Sequence, residues 1–430
     1  MTRDLRAART GAVLTFVLAG LLCGSMTVRI PALSDKLGLS ESSVGATLLV
    51  WGLGALVTMQ SMRGVMTRFG SRSILRVAAP LTAITLALLA VAPSFPLVLA
   101  ASGLFGMAFG AVDVAMNAQG SAVERAYGRP LMNGMHAGWC VGAISAGLLG
   151  TAAIAAGLSI TVHLTLVALL ALPVAALVSR SYLPDPVTAI GRSAKNRPAK
   201  NQPIKDRSSK DRSSEGRSSE GRSPEDRGVA RRRMPPVVYL LGVIAFCAFM
   251  VEGTVADWNG LYLRDVLGAP EALAALGYPI FEAGMLAGRL TGDRVRARFG
   301  ARGMMVASGL ATAATFGVVL TAPTAAIAIS AMLFVGVAVA TVSPMAMSLA
   351  GGATGDPGPA IAQTGAMGYA GLLLGPVIIG FLSDLVTLRV GLGIAVVLGV
   401  LIAVAAWFLP RSRAVTVPLE PAGRELSMAA

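Results

Sequence analysis

Charge is scarce in this 430-residue chain: Asp, Glu, Lys and Arg make up 13% of it, against about 25% in an ordinary soluble domain. With 54% of residues hydrophobic, so few charges cannot wet a soluble surface of this size. The direct reading is an integral membrane protein. Aromatics are sparse at 5%. The three cysteines, Cys23, Cys140 and Cys247, each sit inside an apolar span with no motif spacing between them, which suggests neither a disulfide framework nor a metal site. His136 and His163 are too few and too scattered for a metal cluster. The Gly-Lys-Ser/Thr run of a nucleotide-binding loop is missing, which argues against ATP hydrolysis. No strand precedes any glycine-rich run, so no dinucleotide fold is implied. No enzyme activity and no cofactor are expected.

What is plentiful is glycine, 50 residues, and small residues let helices approach closely in lipid. A polar stretch, Asp185 to Pro235, divides two long apolar blocks. It carries a five-residue repeat beginning Lys205-Asp206-Arg207-Ser208-Ser209. Such a segment has nothing to bury and is expected to be a disordered linker. Its 14 Lys/Arg and 7 Asp/Glu supply +7 of the chain's net +14, so the basic balance is largely a linker property and no nucleic-acid partner is implied. The expected units are residues 1–184, the linker 185–235, residues 236–412 and a tail 413–430.

Apolar spans of about 20 residues cross a bilayer as helices. Six precede the linker, at 11–30, 43–62, 74–93, 97–118, 133–156 and 158–179. Six follow it, at 237–258, 270–291, 303–322, 325–349, 359–382 and 388–409. The first reads as an uncleaved helix, since no small-x-small cleavage site follows Arg3, Arg6 and Arg9. With the N-terminus inside, the inner short loops and ends hold fourteen arginines and the outer ones four Lys/Arg. This asymmetry predicts cytoplasmic termini and linker in a multi-pass protein of the inner (plasma) membrane. The halves also repeat. Arg68-Phe69-Gly70-Ser71-Arg72 after the second span returns 230 residues on as Arg298-Phe299-Gly300-Ala301-Arg302, and Gly138-Trp139 returns as Gly368-Tyr369. Two similar six-helix bundles imply a parallel repeat about an axis along the membrane normal.

On these features the chain resembles the major facilitator superfamily of transporters. The resemblance implies an all-α membrane fold of 12 helices in two pseudo-symmetric bundles, which rock about a central site. It also implies gating loops at Arg68, Gly70, Arg72 and Arg298, Gly300, Arg302. The family's loop signature has an acid where Thr67 and Ala297 stand here, so the gating ion pair attributed to that acid is left open. Asp113-Val114-Ala115-Met116-Asn117 is similar to a pattern in the fucose-permease-like, sugar-symporter branch. The span-four Arg and span-five Gly-Pro pair of drug/proton antiporters are missing, which favours uptake over efflux. Expected partners are the lipid bilayer and a small polar solute, with the chain a monomer and a proton gradient as its energy source. A proton-coupled exporter and a non-transporting receptor on a carrier fold stand as alternatives.

Ionisable side chains inside lipid cost from about 3 to more than 10 kcal/mol, so they must face water, pair or be protonated. Asp113, Glu252 and Glu282 are the proton-coupling candidates. Two have a structural alternative: a polar pair with Asn117 for Asp113, and tight helix packing for Glu282, placed near the middle of span eight. Substrate-binding candidates are Asn117, Asn259 on the face of Glu252, His136 with Trp139, Gln363, Tyr369 and Arg29. Arg29 is otherwise expected to snorkel to the outer interface. Asp257 is read as interfacial and Trp258 as part of an aromatic belt. Counting about 1.5 Å per residue from the span centres separates Asp113 and Glu252 in depth by roughly 15 Å. Span ten, with Ser343 and Pro344, is expected to bend.

Overall fold

The computed structural model describes residues 3–128, 131–184, 234–354 and 357–410. The expected linker from 185 to 233, and the tail, lie outside them. The first half comprises α1 (Arg3–Val28), α2 (Ile30–Leu37), α3 (Glu41–Val91), α4 (Phe95–Tyr127), α5 (Met132–Ala155) and α6 (Ile160–Val178). The second comprises α7 (Pro236–Leu261), a π-turn (Tyr262–Val266), α8 (Glu271–Ala274), α9 (Gly277–Thr321), α10 (Ala325–Val339), α11 (Val342–Gly352), α12 (Pro357–Leu385), α13 (Leu388–Leu392) and α14 (Ile394–Trp407). No strand occurs among the described residues.

Two of these helices are each two spans. α3 is broken at Gly70 and α9 at Gly300, both with φ 73° and ψ 162°. That backbone region is open essentially only to glycine. In both copies the preceding arginine lies over the intervening phenylalanine ring, Arg68 at 5.2 Å from Phe69 and Arg298 at 5.6 Å from Phe299. The repeat read from the sequence is therefore a repeat of backbone geometry. Span ten divides conversely: α10 ends at Val339 and α11 begins at Val342, with Pro344 in its first turn. The proline ring clashes with the carbonyl four residues earlier and so places the break at Ala340–Thr341. Counted this way the described residues form twelve spans, eleven of them long and apolar enough to cross a membrane.

Glycine sets the packing inside each half. A methyl on Gly106 would strike the Trp51 carbonyl, and one on Gly336 the Phe281 carbonyl; Gly54 meets Gly103 and Gly284 meets Leu333 in the same way. Each second pair lies 230 residues beyond the first. The halves meet along α3 with α12 and α5 with α9.

The helices overrun the apolar spans, and this corrects several placements. α4 runs on to Tyr127, so Asp113 lies near its midpoint, as Glu252 does in the stretch from Pro236 to Val266. Span eight starts at Gly277, not 270, because 270–276 form α8 and a turn. Glu282 is thus in the second turn of α9, and Arg289 takes the middle of that span. Trp258 is fully buried and belongs to no interfacial belt.

Gly106→Ala should lower the thermal midpoint of the detergent-purified protein by several degrees. Gly64→Ala, where a methyl has open space and helix propensity improves by up to about 1 kcal/mol, should leave it unchanged or raise it. Equal midpoints for the two variants would show that close approach at Gly106 does not limit stability.

Candidate functional site

The seam between the halves is shut at one end. There Arg264 Nη1 lies 2.6 Å from Asp35 Oδ2, and the Ser42 amide donates to Asp384 Oδ2 at 3.2 Å. Gly45 packs on the Pro376 carbonyl, Gly147 on Pro279 and Gly260 on Pro31. Arg29, only 3% exposed, donates to the Leu158 carbonyl at 2.9 Å and faces Glu271 at 3.9 Å. It therefore neither snorkels nor faces an open site; a guanidinium with a buried carbonyl and an acid beside it is better satisfied as part of the seal. Asn259 is also off the seam face proposed for it. It is buried against Gly277, at the start of α9.

Beneath the seal lies a set of ionisable groups. Asp257, read from the sequence as interfacial, is half-buried and close enough to Cys23 and Tyr278 to act on them electrostatically. Glu282, 7% exposed, lies beside Cys140 of α5 and Tyr278, with Oε2 lacking a hydrogen-bond partner. Arg289 reaches across the seam to donate to Cys140 Sγ at 3.0 Å, and it is the cation nearest both Glu252 and Glu282. Glu252 accepts from the Ser343 hydroxyl at 3.1 Å, just beyond the break in span ten. Arg289 is not among the sequence candidates, since it lies two residues from the end of the span drawn at 270–291; α9 continues helically to Gly300 and centres it.

The second polar station joins the halves directly. Tyr369 of α12 donates its hydroxyl to Asp113 Oδ2 on α4 at 3.3 Å. Asn117 sits one turn along α4 and donates to the Asp113 carbonyl at 2.9 Å and to Oδ1 at 3.4 Å. The Tyr369 ring stacks on Phe249 of α7 at 5.7 Å. Toward the opposite end His136, one turn from Cys140 on the same face of α5, is exposed, with its ring 5.0 Å from Phe16. Trp139 packs edge-on against Phe109, which leans on Trp51. Gln363 is half-buried, six residues before Tyr369. His136 is exposed at the end bearing Gly70 and Gly300, opposite the shut contacts. Arg68 and Arg298 are exposed there and Arg72 and Arg302 partly so, while Thr67, at the family's acid position, donates to its own Gly64 carbonyl at 2.8 Å.

Arg289→Gln should destabilise the protein by roughly 3 kcal/mol, the cost of stripping a cation from a buried acid cluster. Adding Glu282→Gln should recover most of that. A double variant no more stable than Arg289→Gln alone, in thermal unfolding, would disprove the electrostatic linkage.

Comparison with known proteins agrees with this geometry. The chain is 31% identical over 408 residues to "Uncharacterized transporter y4wD" of Sinorhizobium fredii, covering 94% of this chain and 98% of the relative. It is 27% identical over 406 residues to "Membrane protein MosC" of Rhizobium meliloti, covering 94% and 90%. Among solved structures, a bacterial homolog of the human lysosomal transporter Spinster superposes with a TM-score of 0.73 at 14% identity, over 95% of this chain and 97% of that one. The nucleoside transporter NupG superposes with a TM-score of 0.65 at 15% identity, over 94% and 98%. The sequence profile of the Major Facilitator Superfamily matches residues 12–362, and the chain belongs to that family of membrane transporters.

Proposed function

We propose that this transporter takes up a small polar solute together with protons, by alternating access between its halves. The observation that carries the reading is the Tyr369–Asp113 bond, a carboxylate in mid-membrane that ties one half to the other. An ionised carboxylate makes that bond charge-assisted and strong. A proton on Asp113 weakens it and also lowers the cost of holding the acid away from water, so protonation and movement of the halves are coupled through one contact. Glu252 and Glu282, with Arg289 between the helices, form a second proton station. Asn117, Gln363, His136 and Trp139 offer amide, imidazole and ring surfaces to a polar solute. Fourteen arginines against four Lys/Arg in the short loops and ends support an orientation with the open end and both termini in the cytoplasm.

Reconstituted in proteoliposomes, the protein should accumulate substrate from a panel of sugars and other polar solutes when the outside is made acidic. Asp113→Asn should abolish accumulation yet keep solute exchange at equal pH. Loss of exchange as well would make Asp113 structural, and unchanged accumulation would remove it from the coupling. Glu252→Gln and Glu282→Gln are read in the same assay. Gradient-driven flux in the outward direction would identify an exporter, and flux indifferent to the gradient would identify a uniporter.

A further inference from the structure

The second copy of the repeat has a groove lined at several positions by smaller residues than the first copy carries. On the outer side of the bundle, α9 and α10 leave a groove of about 390 Å³, floored by Gly288, Thr291, Gly292, Gly303, Ala307 and Ala311. Its flanking side chains Val295, Phe299 and Val337 are exposed. The 230-residue offset supplies an internal control. Gly288, Gly303, Ala307 and Ala311 correspond to Thr58, Ser73, Val77 and Leu81. Each of these is larger, so the corresponding positions in the first copy carry more side-chain volume.

The placement of charge differs at the same place. Arg298 and Arg302 have counterparts in Arg68 and Arg72, whereas Arg294 and Arg296 stand where the first copy has Gly64 and Met66, and Asp293 stands where it has Arg63. Residues 63–72 and 293–302 thus share a net charge of +3, but the second copy gathers two further arginines beside the groove. Arg294 and Arg298 are exposed, and the Arg298 guanidinium lies over Phe299, which itself lines the groove. Along α9 the groove runs from Gly288 to Phe299, about 16 Å at ~1.5 Å per residue, or about half the ~30 Å hydrocarbon core. That is the depth of one leaflet. An apolar channel one leaflet deep, with the Arg298 guanidinium over one lining ring and the exposed Arg294, which donates to the Leu290 carbonyl at 3.4 Å, one turn away on the same helix, has the dimensions and polarity of a phospholipid.

We propose that this groove is a binding site for an anionic glycerophospholipid, with one acyl chain between α9 and α10 and the phosphate held by Arg294 and Arg298. Basic pockets between membrane helices favour such headgroups by about 1 kcal/mol per arginine.

Native mass spectrometry of the full chain in detergent, titrated with phosphatidylglycerol or phosphatidylcholine, tests the site. Phosphatidylglycerol should add one saturable equivalent in preference to phosphatidylcholine and should raise the thermal midpoint. Arg294→Ala, an exposed change that spares the packing, should weaken that binding roughly fivefold. Gly303→Ser/Ala307→Val/Ala311→Leu, which installs the first copy's residues, should remove the saturable equivalent; because Arg294→Ala does not rely on core repacking, a misfolded triple variant leaves the test intact. Equal binding of the two lipids, or undiminished binding to Arg294→Ala, would overturn the proposal. Inorganic phosphate raising the midpoint as much as the lipid would mark an ion site instead. A dimer in the spectra that the triple variant abolishes would assign the groove to a second copy of the chain.

Discussion

Hydrocarbon offers an unpaired backbone group no water, so each span must close its own hydrogen bonds, and spans attract one another through close contact more than through exclusion from solvent. Glycine supplies that contact here. Gly54, Gly106, Gly284 and Gly336 each admit a neighbouring helix's backbone to within a distance that any side chain would block. The pairs recur at one offset, so both halves are built on one pattern of approach. Departures from helix occur where the chain can tolerate them. Gly70 and Gly300 turn at the membrane edge, while the interruption at Ala340–Thr341 lies inside the protein, one turn from the Ser343 hydroxyl that reaches Glu252.

A bundle held by backbone approach leaves its polar side chains free for the seam. The acids are not scattered through the lipid-facing surface. Asp113 meets Tyr369 of the other half, Glu252 meets Ser343, and Glu282 lies under Cys140 within the field of Arg289. The shut end is sealed by different means, ion pairs such as Arg264 with Asp35 and glycine contacts such as Gly260 with Pro31. The exposed pair alone contributes little, about 0–1 kcal/mol, so the backbone contacts carry most of the seal. A seal made of many weak contacts can be opened and remade.

The twelve spans were legible because an apolar run and a charged loop differ in every residue. The repeat was legible because its loop signature is short and basic. Depth was not. Charges near a helix end mark where headgroups begin, not where hydrogen bonding stops, so α4 and α9 extend past the spans drawn from the sequence, and Asp113 falls near the middle of α4 and Arg289 near the middle of α9 before Gly300. Rotation was not legible either. When a helix is apolar almost all round, its sequence does not say which side is seam, and Asp257, Trp258 and Asn259 on consecutive positions of α7 could not be sorted. One is half-buried near the seam and two are fully packed away. Arg29 escaped for a third reason. Its partners, the Leu158 carbonyl and Glu271, come from remote parts of the chain.

The two copies keep the packing and diverge in the chemistry. At the 230-residue offset Asp113 corresponds to Ser343, and Tyr278, Glu282 and Arg289 correspond to Leu48, Gly52 and Met59. The two symmetry-related seams are therefore unlike. Where α3 meets α12, the contacts are Gly45 on a Pro376 carbonyl and Gly52 on Leu373, with a polar contact at the shut end, the Ser42 amide donating to Asp384. Where α5 meets α9, Arg289 holds Cys140 and Glu282 lies beside it. Separating that pair of helices removes the Cys140 thiol from both Arg289 and Glu282, which stay together on α9. The two seams thus part with different polar losses, a thiol contact beside a buried cation and acid at one and an exposed carboxylate contact at the other.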